Sequence, residues 1–122
     1  MGYVFVSTYG SVTITNNSAI NNDISAGNYA GRIVSYIEGT ASISNNFALD
    51  FMIASGSAQF DATQTKYHGV SKTNAQLRTQ STYSGAIVGD GLGGLGWKFG
   101  NDDDTPWQMP ADGGHPILYW QQ

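Results

Sequence analysis

Two stretches of the sequence match each other: residues 11–20 read SVTITNNSAI and residues 40–49 read TASISNNFAL. The second follows the first by 29 residues, and each alternates apolar residues with serine or threonine before it reaches a pair of asparagines. A repeat of roughly 20 to 50 residues is typical of proteins built from stacked units. Alternation places the apolar side chains on one face of a β-strand. The two stretches are therefore predicted to form equivalent strands that lie in register.

The asparagine pairs at 16–17 and 45–46 are predicted to form the corners at which these strands end. Asparagine tolerates a left-handed backbone and can hydrogen-bond its own main chain. When two such corners stack, their side-chain amides can form a ladder of hydrogen bonds. Short alternating strands, polar corners and the 29-residue spacing together favour an all-β chain in which each repeat is one coil of a parallel β-helix. The alternative is a β-sandwich with similar hairpins, in which turns recur every ~8–12 residues.

The match extends outward from these strands at the same spacing. Residues 4–6 are predicted to lie on residues 33–35, Ile24 on Ile53, and Gly27 on Gly56. The register is lost after Gly56, so a third coil is degenerate at best.

The second half of the chain changes pattern. Thr73 and Gln76 have the spacing of a capping box and helix formers follow, so a short helix is predicted at 74–80. Leu77 and Tyr83 are expected to cover apolar surface. The single predicted domain, 1–122, therefore divides into β-helix coils over 1–70 and a helix, a glycine-rich loop and a C-terminal cap over 71–122.

The composition limits the classes of partner. The chain has a formal net charge of −4, only five Lys and Arg residues, and no cysteine. Nucleic acids and anionic membranes are bound through basic patches, so neither is expected as a partner. No apolar run is long enough for a membrane span. No signal peptide is visible and Met1 leads directly into a repeat, so the chain is interpreted as part of a longer protein. Its N-terminal coil would stack on upstream coils or self-associate with another copy.

Two patterns resemble cofactor or metal sites. Residues 91–96, GLGGLG, match the dinucleotide-binding pattern, but no helix follows to receive a pyrophosphate, so a flexible loop and no cofactor are expected. Asp102, Asp103 and Asp104 could hold Ca²⁺, because clustered carboxylates are ligands for hard cations. A solvated turn before Pro106 is the favoured interpretation of this acidic run.

The sequence contains no recognisable catalytic constellation, so the chain is not expected to be an enzyme. His68 and His115 lack the spacing of a zinc site, and no serine lies in a nucleophile elbow. Glycoside hydrolysis requires two carboxylates that flank a groove. Asp50 and Asp61 are conceivable for this role, but nothing singles them out.

A series of short motifs carries a family resemblance. They are GRIVSY at 31–36, Gly39, SISNN at 42–46, LRTQSTY at 77–83, LGWKF at 95–99, WQM at 107–109 and GHPILYWQ at 114–121. In this order they resemble the GLUG repeats and closing segment of adhesin-like surface proteins from gut Bacteroidetes, which also occur alongside immunoglobulin A1 peptidase-like proteins. The resemblance implies a short right-handed parallel β-helix (a solenoid), secreted or displayed at the bacterial outer surface, without catalytic residues. Ser35 departs from the pattern, since many copies have glycine there.

The aromatic residues of the tail admit two interpretations. As a cap, they would cover the apolar end of the last coil, which is the favoured interpretation. As a platform, their exposed rings would contact a ligand or a partner, for example the face of a sugar. The candidate contact residues are Trp97, Trp107, Tyr119 and Trp120.

The sequence therefore predicts a non-enzymatic cell-surface structural or adhesion module, the C-terminal end of a longer adhesin-like protein. Its partner would be a host or surface ligand, either a glycan or a protein. The alternative is a carbohydrate-binding accessory module of a surface peptidase or a glycan-processing enzyme.

Overall fold

The computed structural model describes residues 3–7, 10–26, 30–56, 65–89 and 92–121. Short strands dominate it. In chain order the elements are β1 (Tyr3–Phe5), β2 (Val12–Thr15), β3 (Ser18–Ala19), β4 (Asp23–Ala26), β5 (Tyr36–Glu38), β6 (Ala41–Ser44), β7 (Phe47–Leu49), β8 (Ile53–Gly56), α1 (Thr65–His68), β9 (Val70–Lys72), α2 (Asn74–Leu77), α3 (Gln80–Ser84), β10 (Trp107–Gln108), β11 (Ile117–Leu118) and a 3₁₀ turn (Tyr119–Gln121).

The central strands of the two copies pair in parallel and in the predicted register. Strand β2 pairs with β6 so that Ile14 lies opposite Ile43, and β3 pairs with β7 so that Ser18 lies opposite Phe47. Ile14 is buried while its neighbour Thr13 faces solvent, as alternation along a strand requires. The prediction of equivalent strands lying in register is confirmed for these two pairs.

The predicted spacing is wrong at the N-terminal strand. Val4 lies opposite Ile37 rather than Ile33. The reason is the length of the connection after this strand: residues 6–11 separate β1 from β2, whereas only Gly39 and Thr40 separate β5 from β6.

The spacing is also wrong, by one residue, at the last pair of strands. Ile24 lies opposite Ala54 rather than Ile53. Residues 20–22 connect Ala19 to Asp23 in the first copy, whereas residues 49–52 connect the equivalent positions, Ala48 and Ile53, in the second. The second connection is one residue longer, so the register shifts by one. Gly27, which was expected to lie on Gly56, falls outside the described residues.

The predicted right-handed parallel β-helix is wrong. The described strands form five separate small sheets, four with two strands and one with three, and none of these sheets closes or continues as a solenoid. Among the strands that the structure describes, β7 alone pairs with a strand beyond the two copies, the parallel strand β9. The chain then leaves the parallel arrangement for two short helices and an antiparallel pair, β10 and β11. Two copies of the repeat define two layers of paired strands, and the sequence beyond Gly56 supplies no third copy that could propagate them.

Two clusters of buried side chains stabilise this arrangement. The first lies within the strand repeat and contains Val6, Ile14, Ile33, Val34, Ile37 and Ala48. The second joins the repeat to the later segments and contains Phe47, Leu49, Met52, Leu77, Tyr83 and Leu95. Leu77 and Tyr83 are 0% and 1% exposed, so the prediction that they cover apolar surface is confirmed. Complete burial of a leucine contributes about 1.5–3 kcal/mol.

The capping box at the start of α2 is confirmed. Thr73 Oγ1 accepts a hydrogen bond from Gln76 N at 3.1 Å, and Gln76 Oε1 accepts one from Thr73 N at 2.9 Å. The predicted helix at 74–80 is interrupted, because α2 ends at Leu77 and α3 begins at Gln80. The interruption allows α3 to turn Tyr83 into the second cluster.

Candidate binding site

Three aromatic rings stack where the strand repeat meets the C-terminal segment. The Trp97 ring lies between those of Tyr83 and Trp107, with centroid separations of 4.9 Å and 4.0 Å. The interplanar angles are 26° and 14°. Aromatic pairs in such geometry gain about 0.5–1.5 kcal/mol beyond the burial of their area. We call this group the aromatic stack.

Close backbone packing holds the chain around the stack. The amides of Leu95 and Trp97 both donate to Tyr83 O at 3.0 Å, so the chain returns along the end of α3. A Cβ atom at Gly94 would collide with the backbone of Gly85. Glycine at position 94 therefore permits a close approach of two chain segments, which differs from the flexible loop predicted for 91–96.

The corners of both repeat copies anchor the stack. Trp97 Nε1 donates to Asn16 O at 2.9 Å, and Asn45 Nδ2 donates to Gly94 O at 3.1 Å. The same Asn45 amide donates to Asn16 Oδ1 at 2.8 Å. The position of the stack is thus set by the asparagine corners, which are themselves set by the repeat.

Hydrogen bonds of the Trp107 backbone fix the position of this residue in β10. Its amide donates to Lys98 O at 3.2 Å, and its carbonyl accepts from Gly100 N at 2.9 Å. Trp107 also lies opposite Leu118 in the antiparallel pair of β10 and β11. Both its ring and its backbone are therefore fixed before any ligand arrives.

Two pockets border Trp107, and together we call them the aromatic cleft. The inner pocket has a volume of about 150 Å³ and is lined by Ser18, Ile20, Tyr83, Trp97, Trp107, His115 and Pro116. The outer pocket has a volume of about 380 Å³ and is lined by Gln80, Phe99, Gly100, Trp107, Gln108 and Met109. The lining of the outer pocket includes Trp107 but neither of the other two rings of the stack.

The polar groups of the cleft are mainly neutral amides and one histidine. Gln108 Nε2 donates to Asn101 Oδ1 at 3.0 Å, which orients the Gln108 amide. His115 Nε2 lies 3.1 Å from Asn74 Oδ1. Burial, together with the positive charge of Arg78, lowers the pKa of His115 below its usual value of 6.5. The cleft therefore offers hydrogen-bonding groups that carry no charge at neutral pH.

The structure brings together only two of the four predicted contact residues. Trp97 and Trp107 stack, whereas Tyr119 and Trp120 form a separate edge-to-face pair with centroids 5.0 Å apart. Trp120 is 61% exposed and lines neither pocket of the cleft. The tail thus contributes to a cleft at Trp107 and not to a continuous aromatic platform.

The polar residues of the cleft were not recognised from the sequence as one group. Gln80, Gln108 and His115 come from three separate segments of the chain. Each lies in one of the motifs that carry the family resemblance. Gln108 follows Trp107 directly in the sequence, whereas Gln80 and His115 come near Trp107 only through the fold. The sequence predicts Tyr83 as a residue that covers apolar surface but gives no sign of its place in the stack.

The acidic run forms a hydrogen-bonded turn. Asp102 Oδ1 accepts from Asp104 N at 3.1 Å and from both the amide and the hydroxyl of Thr105 at 2.8 Å. These bonds, first of all the one from the Thr105 hydroxyl, lower the pKa of Asp102. Asp103 Oδ1 accepts from the Tyr119 hydroxyl at 2.6 Å.

These contacts leave the calcium candidate without a cluster to support it. Among the described residues, no three His, Cys, Asp or Glu side chains converge in a way that could hold a metal ion. Of the two carboxylates considered for glycoside hydrolysis, Asp61 lies outside the described residues, so this pair stays untested.

Comparisons with known proteins identify no relative. No family model matches the chain, and neither a curated protein nor a solved structure matches it. The resemblance to GLUG repeats therefore stays a prediction. None of the described helices has the length and apolar character needed to cross a membrane.

Proposed function

We propose that this chain is a non-enzymatic adhesion module of a bacterial surface, and that it engages its partner through the aromatic cleft. The observation that carries the proposal is the fixed position of Trp107, which borders both pockets while Trp97 stacks on its ring. A side chain that is already fixed loses little conformational freedom on binding. Tryptophan is also among the residues that most often dominate the energy of an interface.

The surface location rests on the sequence. The motifs that resemble GLUG repeats imply it, and charged residues make up only 11% of the chain, with neutral polar residues in their place. The same motifs support the proposal that this chain ends a longer adhesin-like protein. The alternative, an accessory module of a peptidase or a glycan-processing enzyme, would use the same cleft and would differ in the protein to which the chain is attached.

The proposal is tested by adhesion to defined surfaces. We would immobilise gastric mucin, the same mucin after enzymatic deglycosylation, and fibronectin, and measure binding of the purified chain by interferometry. We expect the chain to bind at least one of these surfaces and the Trp107→Ala variant to lose that binding. Trp120→Ala is the matched control, because it removes an exposed tryptophan outside the cleft. The proposal fails if no surface is bound, or if both variants bind as the unaltered chain does.

A further inference from the structure

The outer pocket has the features of a sugar-binding site. We infer that it binds a neutral saccharide, with one pyranose ring stacked on Trp107 and its hydroxyls bonded to the amides of Gln80 and Gln108. This inference rests on the proposed function, since it names the ligand of the same cleft.

Trp107 offers an aromatic ring to the outer pocket. Trp97 stacks on this ring at a centroid distance of 4.0 Å, and the outer pocket borders Trp107 without touching Trp97. One face of a pyranose carries C–H groups that pack against the electron-rich face of an aromatic ring, whose negative charge is concentrated there. The pocket volume of about 380 Å³ falls within the roughly 300–1,000 Å³ that is usual for small-molecule sites.

Two glutamine amides supply the polar part of the pocket lining. An amide offers both a donor and an acceptor, which matches the hydroxyl groups of a sugar. Asn101 accepts one N–H of Gln108 and so leaves the Gln108 carbonyl oxygen available to the pocket. Gln80, at the exposed start of α3, supplies a second amide from a separate segment of the chain.

The lining of the outer pocket is uncharged. Among the residues that the structure describes, the pocket is lined by amide, aromatic and apolar side chains and a glycine, and by no lysine, arginine or carboxylate. An acidic sugar would be desolvated there without a cationic partner, which is costly. A nucleic acid could stack a base on Trp107, but its backbone requires a basic groove, and the described lining of the outer pocket contains no basic side chain.

The inference is tested on the unaltered chain by heteronuclear NMR. The chain contains three tryptophans, so its three indole N–H signals can be assigned by substitution. Cellobiose, lactose and N,N′-diacetylchitobiose would be titrated separately. We expect at least one of them to shift the Trp107 signal and to leave the Trp120 signal in place. The indole N–H of Trp97 donates a hydrogen bond to Asn16 O, so its signal serves as a marker of the intact stack.

Variants then separate a lost contact from a lost fold. We expect Trp107→Ala to weaken binding of the sugar about ten-fold or more, because the variant removes the ring on which the pyranose stacks. Trp107→Phe should restore part of the affinity, and Trp120→Ala should leave it unchanged. Gln80→Ala removes an amide from the pocket, so it should weaken binding of the sugar. Because Gln80 is exposed, the melting temperature should stay the same.

The outcomes distinguish this inference from the proposed function. If none of the three sugars shifts the Trp107 signal, or if the shift occurs at Trp120, the inference is wrong. Adhesion that survives deglycosylation of the mucin but is lost in Trp107→Ala would mean a protein ligand in the cleft, which retains the function and rejects the sugar. If the chain neither adheres to any surface nor binds any sugar, both proposals fail.

Discussion

The side-chain amide of Asn45 donates a hydrogen bond of 2.8 Å to the side-chain oxygen of Asn16, the residue that precedes it by 29 positions. Both residues have a positive φ, 51° for Asn45 and 60° for Asn16. In a second rung, Asn17 Nδ2 donates to Asn46 Oδ1 at 2.9 Å. The predicted ladder of asparagines therefore exists, and it joins the two copies of the repeat at the corner that ends the central strand of each copy. Because Asn45 also bonds Gly94 O, the ladder positions the aromatic stack as well.

We predict that Asn45→Ala lowers the free energy of unfolding by about 2–4 kcal/mol. Asn45 is only 4% exposed, and the variant loses the hydrogen bonds to Asn16 Oδ1 and Gly94 O and also forces alanine into a left-handed conformation. Asn45→Gly loses the same bonds without the backbone strain and should be about 1 kcal/mol more stable than the alanine variant. Urea denaturation measures both. Equal stabilities of the two variants would show that the left-handed backbone at position 45 does not destabilise the alanine variant.

Gly39 provides a test of close packing between the copies. Its φ is +102°, and a Cβ there would collide with the backbone carbonyl of Val6. Gly113 also has a positive φ, +76°, but a Cβ there would meet no atom within 4 Å. We predict that Gly113→Ala costs only the backbone strain of about 1–2 kcal/mol, and that Gly39→Ala costs clearly more. The two melting temperatures decide this, and a similar loss at both sites would mean that the strands separate freely to admit the methyl group.

The central register was predictable because its determinants are local. Alternation over Val12–Thr15 and Ala41–Ser44, followed by the same asparagine pair, specifies the strand, its buried face and its corner in each copy. The outer registers were not predictable in the same way. They depend on the lengths of connections such as 6–11, and the matching of residues by sequence alone cannot account for a loop that differs between copies.

The β-helix was predicted from a repeat that the chain contains only twice. Two layers of strands satisfy the repeat, but a solenoid needs further copies, and the later part of the chain instead places Leu77 and Tyr83 of two short helices over Phe47. The binding site illustrates the same limit. Trp107 could be nominated by residue type, whereas Gln80 became relevant only when the tail folded back onto α3.

Arg32 links three carbonyl groups from two parts of the chain. Its Nε donates to His68 O at 3.0 Å, and its two terminal nitrogens donate to Leu49 O and Gly69 O at 3.1 Å each. Lysine cannot reproduce this planar fork, so we predict that Arg32→Lys lowers the unfolding free energy by about 2–3 kcal/mol.

Arg78→Lys is the control for this substitution, because the exposed Arg78 guanidinium donates to one carbonyl among the described residues, that of Gly113. We expect it to cost at most about 1 kcal/mol. Chemical denaturation measures both variants. Equal losses of unfolding free energy in Arg32→Lys and Arg78→Lys would contradict the proposed role of the three Arg32 hydrogen bonds.

Leu77 tests whether the second cluster holds the helices on the strand repeat. Leu77 is completely buried against Phe47 and its neighbours, while Leu92 is 80% exposed. Leu77→Ala should cost about 2–5 kcal/mol through lost burial and a residual cavity. Leu92→Ala should change stability by no more than about 0.5 kcal/mol. A small effect of Leu77→Ala in thermal denaturation would mean that the helices are not part of the cooperative fold.

His115 should make the stability of the protein depend on pH. Burial and the charge of Arg78 lower its pKa in the folded state, so the folded protein favours the neutral ring. Above the usual pKa of 6.5 the ring is neutral in both states and stability is complete. As the pH falls below that value the unfolded chain binds a proton first, and stability declines until the folded-state pKa is passed. Denaturation curves at about pH 7.5 and about pH 5.5 should therefore show a loss in acid that is smaller in His115→Gln, whose amide can still reach Asn74 without titrating. An identical loss in the variant would assign the acid sensitivity to other groups.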